Sequence, residues 1–382
     1  MALALFWYAI VPIAGAFVVR RSWRLFRRRF DDLRLAPILD YRASRELSGE
    51  GADFRFFGGF ESVTDNKTLW VRSDNLTVPI ELSDAQIYLL PAAEERAESG
   101  SYDLDGGQPE RIQWERVAAL SEGAKVFIGG RARPEAGRVH FRSTDSQPLL
   151  VILYDGDERS MLERTVRAGR HRNEYWNPAT PYALALGVFA ELLVGLWFSP
   201  RPAFRPAAAA AFAAAFGPLL PILPPGLLLT SLYGRFWRSA RAFRAFRDLV
   251  LLPTRHLGEG ITETVLGDGE RYGRVILQDG SRRLQEAKIP VLPPGTEVGD
   301  EGPWVCYGAL TTVEPELARG PQLPTVPRDP AALFAAMPGN PADLSRGFRI
   351  RARVLEIAAA AALITAVGIN AILTYTFIRL FR

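Results

Sequence analysis

Residues 2–29 read ALALFWYAIVPIAGAFVVRRSWRLFRRR. An uncharged stretch, Ala2 to Val19, is followed at once by Arg20, Arg21, Arg24, Arg27, Arg28 and Arg29. Eighteen helical residues cover roughly 27 Å, close to the hydrocarbon thickness of a bilayer. A cleaved secretory signal carries its positive charge before the apolar stretch and small residues after it. Here the order is reversed, so 2–19 reads as an uncleaved transmembrane helix and 20–39 as a basic juxtamembrane arm.

Three further apolar stretches follow, at 181–198, 206–233 and 355–378. Residues Ser199-Pro200-Arg201-Pro202 make a short turn between the second and the third, which therefore form a hairpin. The third contains Pro218, Pro221, Pro224 and Pro225 and is expected to be broken, because proline removes an amide and frees the carbonyl four residues earlier. Arginine bias orients the set. Arg164, Arg167, Arg170 and Arg172 precede the second span; Arg235, Arg238, Arg241, Arg244 and Arg247 follow the third; Arg346, Arg349, Arg351 and Arg353 precede the fourth. With four spans every richer flank falls in one compartment, the cytoplasm. The expected fold is membrane α-helical, with both termini periplasmic and the soluble segments cytoplasmic, in a bacterial inner membrane.

The soluble segments are 40–176 and 254–348. Between Asp40 and Arg159 there are 22 acids against 14 bases, so the basic excess lies beside the spans. That placement points to anionic lipid rather than nucleic acid as the partner of the arginines. In 40–176, β-rich runs at Phe54–Phe60, Thr68–Arg72, Thr77–Leu82, Lys125–Arg131, Val139–Arg142 and Leu149–Tyr154 alternate with turns such as Asp65-Asn66 and Glu135-Ala136-Gly137. Phe57-Gly58-Gly59…Val71-Arg72-Ser73 recurs as Ile128-Gly129-Gly130…Phe141-Arg142-Ser143. Paired glycines inside strands mark bends that close a small barrel. Two similar hairpins forming an OB-like barrel or curved sheet is one reading; coincidence between two common turns is the other. Asp157–Asn173 reads as a helix that leads through Tyr175 and Trp176, an interfacial aromatic pair, into the second span.

The run from Leu120 to Gly130, its hairpin, Pro148–Ile152 and the basic helix entering the membrane resemble the membrane-linked GIDE domain. That domain is known from mitochondrial ubiquitin ligases and their prokaryotic relatives. The resemblance covers about 113–176 and implies a membrane-tethered β domain. The ligases also carry a cysteine-rich RING, which one cysteine, Cys306, cannot build.

In 254–348, Tyr272–Leu277, Ala287–Val291 and Trp304–Leu310 read as strands. Pro315, Pro321, Pro324, Pro327, Pro330, Pro338 and Pro341 predict an extended linker in its C-terminal half. Residues 235–250, with arginine at every third position and Phe236, Trp237, Phe243 and Phe246 between, read as a basic amphipathic interfacial helix.

Chemistry is sparse. His140, His171 and His256 lack metal-binding spacing, no phosphate loop or nucleophile elbow is present, and Gly258-Glu259-Gly260 and Gly267-Asp268-Gly269 are turn glycines. No catalytic residue, metal or cofactor is assigned. Cys306 is expected to be a buried structural thiol. Glu191 is the one acid well inside a span, and intramembrane acids are commonly functional. It is expected to be buried between helices and, carrying its proton, to donate to the carbonyl of Gly217, Leu220 or Pro221. Three functions follow: a scaffold or regulator presenting β domains to a protein partner, a small transporter or channel component built on Glu191 and the broken span, or an enzyme of unknown type.

Overall fold

The computed structural model describes residues 2–380 except 50, 65–66, 74–75, 91–108, 118–122, 136, 145–146, 169, 171–172, 259, 268, 279–283, 285–302 and 311–322. The expected turn at Asp65-Asn66, His171, the strand Ala287–Val291, Pro315 and Pro321 lie outside the described residues. The chain forms two compact units. One comprises Met1–Leu25, Arg170–Arg244 and Arg349–Arg382; the other comprises Phe26–Gly169 and Ala245–Phe348.

The helices used below are α1 (Ala2–Leu33), α2 (Tyr41–Glu46), α3 (Glu158–Ala168), α4 (Thr180–Phe198), α5 (Arg205–Ala215), α6 (Gly226–Leu257) and α7 (Pro341–Leu380). Among the described residues, three helices are long and apolar enough to cross a membrane: α1, α4 and α7. The expected third span is not one helix. It is α5, a 3₁₀ stretch over Gly217–Ile222, a turn through Pro224-Pro225, and the start of α6. The prolines remove the amides an α-helix would need there. The arm at 20–39 is likewise not a separate element, because α1 continues without a break to Leu33. Phe26, Phe30 and Leu33, spaced four and three apart on one helix face, are each only 2% exposed.

In the second unit the strands are β1 (Ala52–Thr64), β2 (Thr68–Ser73), β3 (Leu76–Glu81), β4 (Gln86–Leu89), β5 (Glu110–Ile112), β6 (Lys125–Glu135), β7 (Arg138–Phe141) and β8 (Leu150–Tyr154). Five of them close a mixed barrel in the order β1-β2-β3-β7-β6 and back to β1. All pairings are antiparallel except β3 with β7, which meet in parallel at Ile80 and Phe141. The closing strand is β1. Its first half pairs with β6 and its second half with β2, and Gly59 faces both Lys125 and Arg72. The strand bends here because Gly58 carries no side chain: a Cβ would lie 2.6 Å from the carbonyl oxygen of Arg72. On β6 the second glycine pair does similar work. One edge pairs with β8 up to Gly129 and with β7 from Ala132, and Gly130 between them has φ +147°. Phe56, Leu69, Val71, Ile80, Val126 and Phe141 fill the interior.

Beyond β6 the sheet extends through β8 and β4 to β5. Phe30 and Phe127 meet at 5.6 Å between ring centres, and Phe26 and Tyr88 at 4.5 Å, so the end of α1 covers this extension. A smaller antiparallel sheet runs β12 (Ala335–Pro338), β11 (Trp304–Ala309), β10 (Arg271–Leu277), β9 (Glu263–Val265). The described part of the proline-rich half, 323–348, is therefore not an extended linker. Thr325 pairs with Ala309, β12 joins the sheet, and Asp329 is 2% exposed. Proline tolerates these edge and turn positions because they need no amide donor. Residues 40–169 and 245–348 also pack as one unit rather than as two domains.

Candidate functional site

The broken helical path of α5, the 3₁₀ stretch and the start of α6, in the first unit, is built around carbonyls that proline leaves without an amide. Pro224 frees the carbonyl of Leu220, and Pro225 that of Pro221. The side-chain amide of Asn370, in α7, donates to the carbonyls of Leu220 at 2.6 Å and Leu223 at 2.7 Å. The hydroxyl of Thr230, in α6, donates to that of Pro221. Gly226 lets Asn370 approach, since a Cβ there would collide with its amide nitrogen. The carbonyls of Leu220, Pro221 and Leu223 are thus answered from within the protein, as a low-dielectric environment demands.

Glu191 is buried in α4, as expected, at 2% exposure. The expected hydrogen bond from Glu191 to the carbonyl of Gly217, Leu220 or Pro221 is not formed among the described residues; Asn370 answers Leu220 and Thr230 answers Pro221. Among the described residues Glu191 Oε1 makes no hydrogen bond, and neither does the hydroxyl of Tyr8. The two interact electrostatically. The Tyr8 ring packs where Gly187 and Gly217 have no side chains, so Tyr8, the electrostatic neighbour of Glu191, lies beside the entrance to the 3₁₀ stretch, with Pro218 at its second position. The helices approach closely through glycine elsewhere too: Phe212 of α5 packs on Gly195 of α4.

The same logic holds α1 to α4. Pro12 has no amide to give the carbonyl of Tyr8, and the hydroxyl of Tyr175 donates to it at 2.8 Å. Asn177 donates to the carbonyl of Pro12 at 2.8 Å and accepts from the amide of Ala179 at 3.0 Å. Tyr175, expected from sequence at the interface, is a helix clamp.

The arginines expected at the lipid interface divide. Arg20, Arg21, Arg24, Arg28 and Arg235 are exposed, while Arg27 and Arg29 are half-buried, with Arg29 donating to the carbonyl of Pro148. Residues 235–250 are not a separate interfacial helix but the middle of α6. Residues three apart on an α-helix are displaced by about 60° per step, so five cannot share a face. Arg238 bonds back to Gly234, Arg241 is buried 3.7 Å from Glu174, Arg244 pairs with Glu356, and Arg247 pairs with Asp248.

In the second unit the buried polar centre is one that sequence reading did not find. Arg55, in β1, donates from Nη1 to Asp329 Oδ1 at 2.7 Å and from Nη2 to Oδ2, and from Nε to the carbonyl of Ala36 at 2.6 Å. Asp329 also accepts from the amide of Ala331 at 2.9 Å. Arg34, 1% exposed, lies near and pairs with Asp31. His256 sits at the end of α6 against the ring of Tyr272. Burial pulls its pKa down to about 4, helped by Arg34 and Arg55 and opposed by Asp329. Cys306 is fully buried, and burial pushes its thiol up to about 11, which fits an inert structural residue.

His140 lines a cleft of about 230 Å³ with Thr68, Glu81, Glu135 and Arg142. Arg142 pairs with both glutamates. Among the described residues no group of three His, Cys, Asp or Glu side chains is placed to hold a metal. Comparison with protein-family models, with curated proteins and with solved structures finds no match.

Proposed function

We propose that the chain is an integral inner-membrane scaffold or regulator that presents its barrel and small sheet to a protein partner at the cytoplasmic face, with the exposed arginines of α1 engaging anionic lipid. The observation that carries this reading is the Arg55–Asp329 pair. It joins residues that precede the α4–α5 segment to residues that follow it, so the chain between them leaves and returns on one side. Since α4 is apolar and long enough to cross, the broken path through α5 and the start of α6 is the return crossing. On this reading the chain crosses four times with both termini periplasmic, in agreement with the arginine bias. The barrel's strand order, with its single parallel pairing, supports an OB-type barrel, and the likeness of 113–176 to GIDE belongs to the same reading.

Photo-crosslinkers at exposed Ser62 and Thr77 on the barrel test it in intact membranes. A discrete protein adduct, lost when Arg55→Ala loosens the unit, is the expected result. Absence of adducts from both positions, with normal expression, contradicts it.

A second reading, a small transporter or channel component, draws on the Glu191–Tyr8 pair beside a discontinuous helix, an arrangement that membrane carriers use for substrate and proton sites. Substrate-independent function of Glu191→Gln and Tyr8→Phe variants would remove it.

A further inference from the structure

The end of α6 and the small sheet enclose a cleft of about 450 Å³ that none of the interactions above uses. Helix α6 stops at Gly258, which has φ +86° and donates its amide to the carbonyl of Thr254, a left-handed cap. The chain then turns through Gly260, at φ +77°, where a side chain would meet nothing. The turn leaves open the space between Leu251, Thr254, Arg255 and Ile261 on one side and Arg274 and Tyr307 on the other.

Positive charge and a phenol converge on this cleft. Arg274 and Tyr307 face each other across β10 and β11 and point to the same side of the sheet. Arg274 is exposed and makes no ion pair among the described residues. Tyr307 is only 1% exposed and lines the cleft together with Arg274. Burial raises its pKa and the Arg274 charge opposes that, so the guanidinium and the phenol are close. Arg255 gives one amino group to Asp31 at 2.8 Å and keeps other donors. No acidic side chain lines the cleft among the described residues, and Ile261 holds half of its surface in water.

Two guanidinium groups beside a buried phenol, with an apolar wall, match an oxyanion carried on an apolar body. The volume is in the range of small-molecule sites. We propose that this cleft binds a small organic anion, its carboxylate or phosphate monoester head held by Arg255, Arg274 and the Tyr307 hydroxyl and its apolar body lying on Leu251 and Ile261.

Calorimetry on the full chain in lipid nanodiscs, with phenyl phosphate, benzoate and inorganic phosphate as probes, tests this. Saturable binding of phenyl phosphate or benzoate is expected, and whichever binds tighter identifies the head group. Inorganic phosphate should bind about tenfold more weakly, for lack of an apolar body. Arg274→Gln and Tyr307→Phe should each weaken the better probe by about tenfold. Tyr307→Phe keeps the ring and carries the test if Arg274→Gln fails to fold. Arg271→Gln, on the opposite face of the same strand, should leave binding unchanged. No saturable binding of either aromatic anion up to about 10 mM, equal affinity for inorganic phosphate, or equal loss in Arg271→Gln would overturn the proposal.

Discussion

Arg55 and Asp329, 274 positions apart in the chain, meet as a two-pronged ion pair with both side chains buried. The geometry satisfies the carboxylate at both oxygens, and a third bond from Ala331 completes it. Desolvation cancels much of the attraction in such a pair, but removing one partner strands the other charge. Arg55→Ala and Asp329→Ala should each destabilise the second unit by about 3–5 kcal/mol. The double replacement Arg55→Leu with Asp329→Leu should cost clearly less than the sum of the single ones. Denaturant titration of the purified protein reads both, and additive losses would show that the pair is not coupled.

His256 makes the same unit acid-sensitive. Its folded pKa of about 4 lies below its unfolded value of 6.5, so between those pH values the unfolded chain binds a proton that the folded one does not. Stability therefore falls as pH drops from 6.5 to 4, by up to about 3 kcal/mol. His256→Phe keeps the ring against Tyr272 and should flatten the profile in that window. An unchanged slope in the variant would assign the acid response elsewhere.

In the membrane unit the helix break depends on Asn370. Asn370→Leu leaves the carbonyls of Leu220 and Leu223 without their side-chain donor and should cost on the order of 1–2 kcal/mol, read as a lower melting temperature in detergent. Glu191→Leu removes a carboxylate oxygen that already lacks a partner, so it should leave the melting temperature unchanged or raise it. The opposite ranking would restore Glu191 as the clamp.

Much of this was legible before the structure. The two barrel hairpins announced themselves through alternating strands and their glycine pairs, which lie at the bends where β1 and β6 change partners. Strands β4 and β5 escaped, since they span four and three residues and owe their place to β8 and to each other. Asp329 was one acid in a proline-rich run, and no local pattern records a partner in a distant strand. Asn370 did leave a signal, an amide within an apolar span, but the acid in α4 drew the reading instead. The spacing of the α6 arginines also misled: every third residue looks regular in sequence and winds around the helix in space.

Residues 26–169 and 245–348 form one compact unit, and we propose that it lies on the cytoplasmic side, with four crossings and two periplasmic termini. Reporter fusions after Asn173, after Asp329 and after Arg382 test it most directly. Green fluorescent protein should fluoresce at the first two sites, and alkaline phosphatase should be active only at the third. Active phosphatase after Asp329, with fluorescence retained after Asn173, would place the two halves of the unit on opposite sides of the membrane and contradict the account.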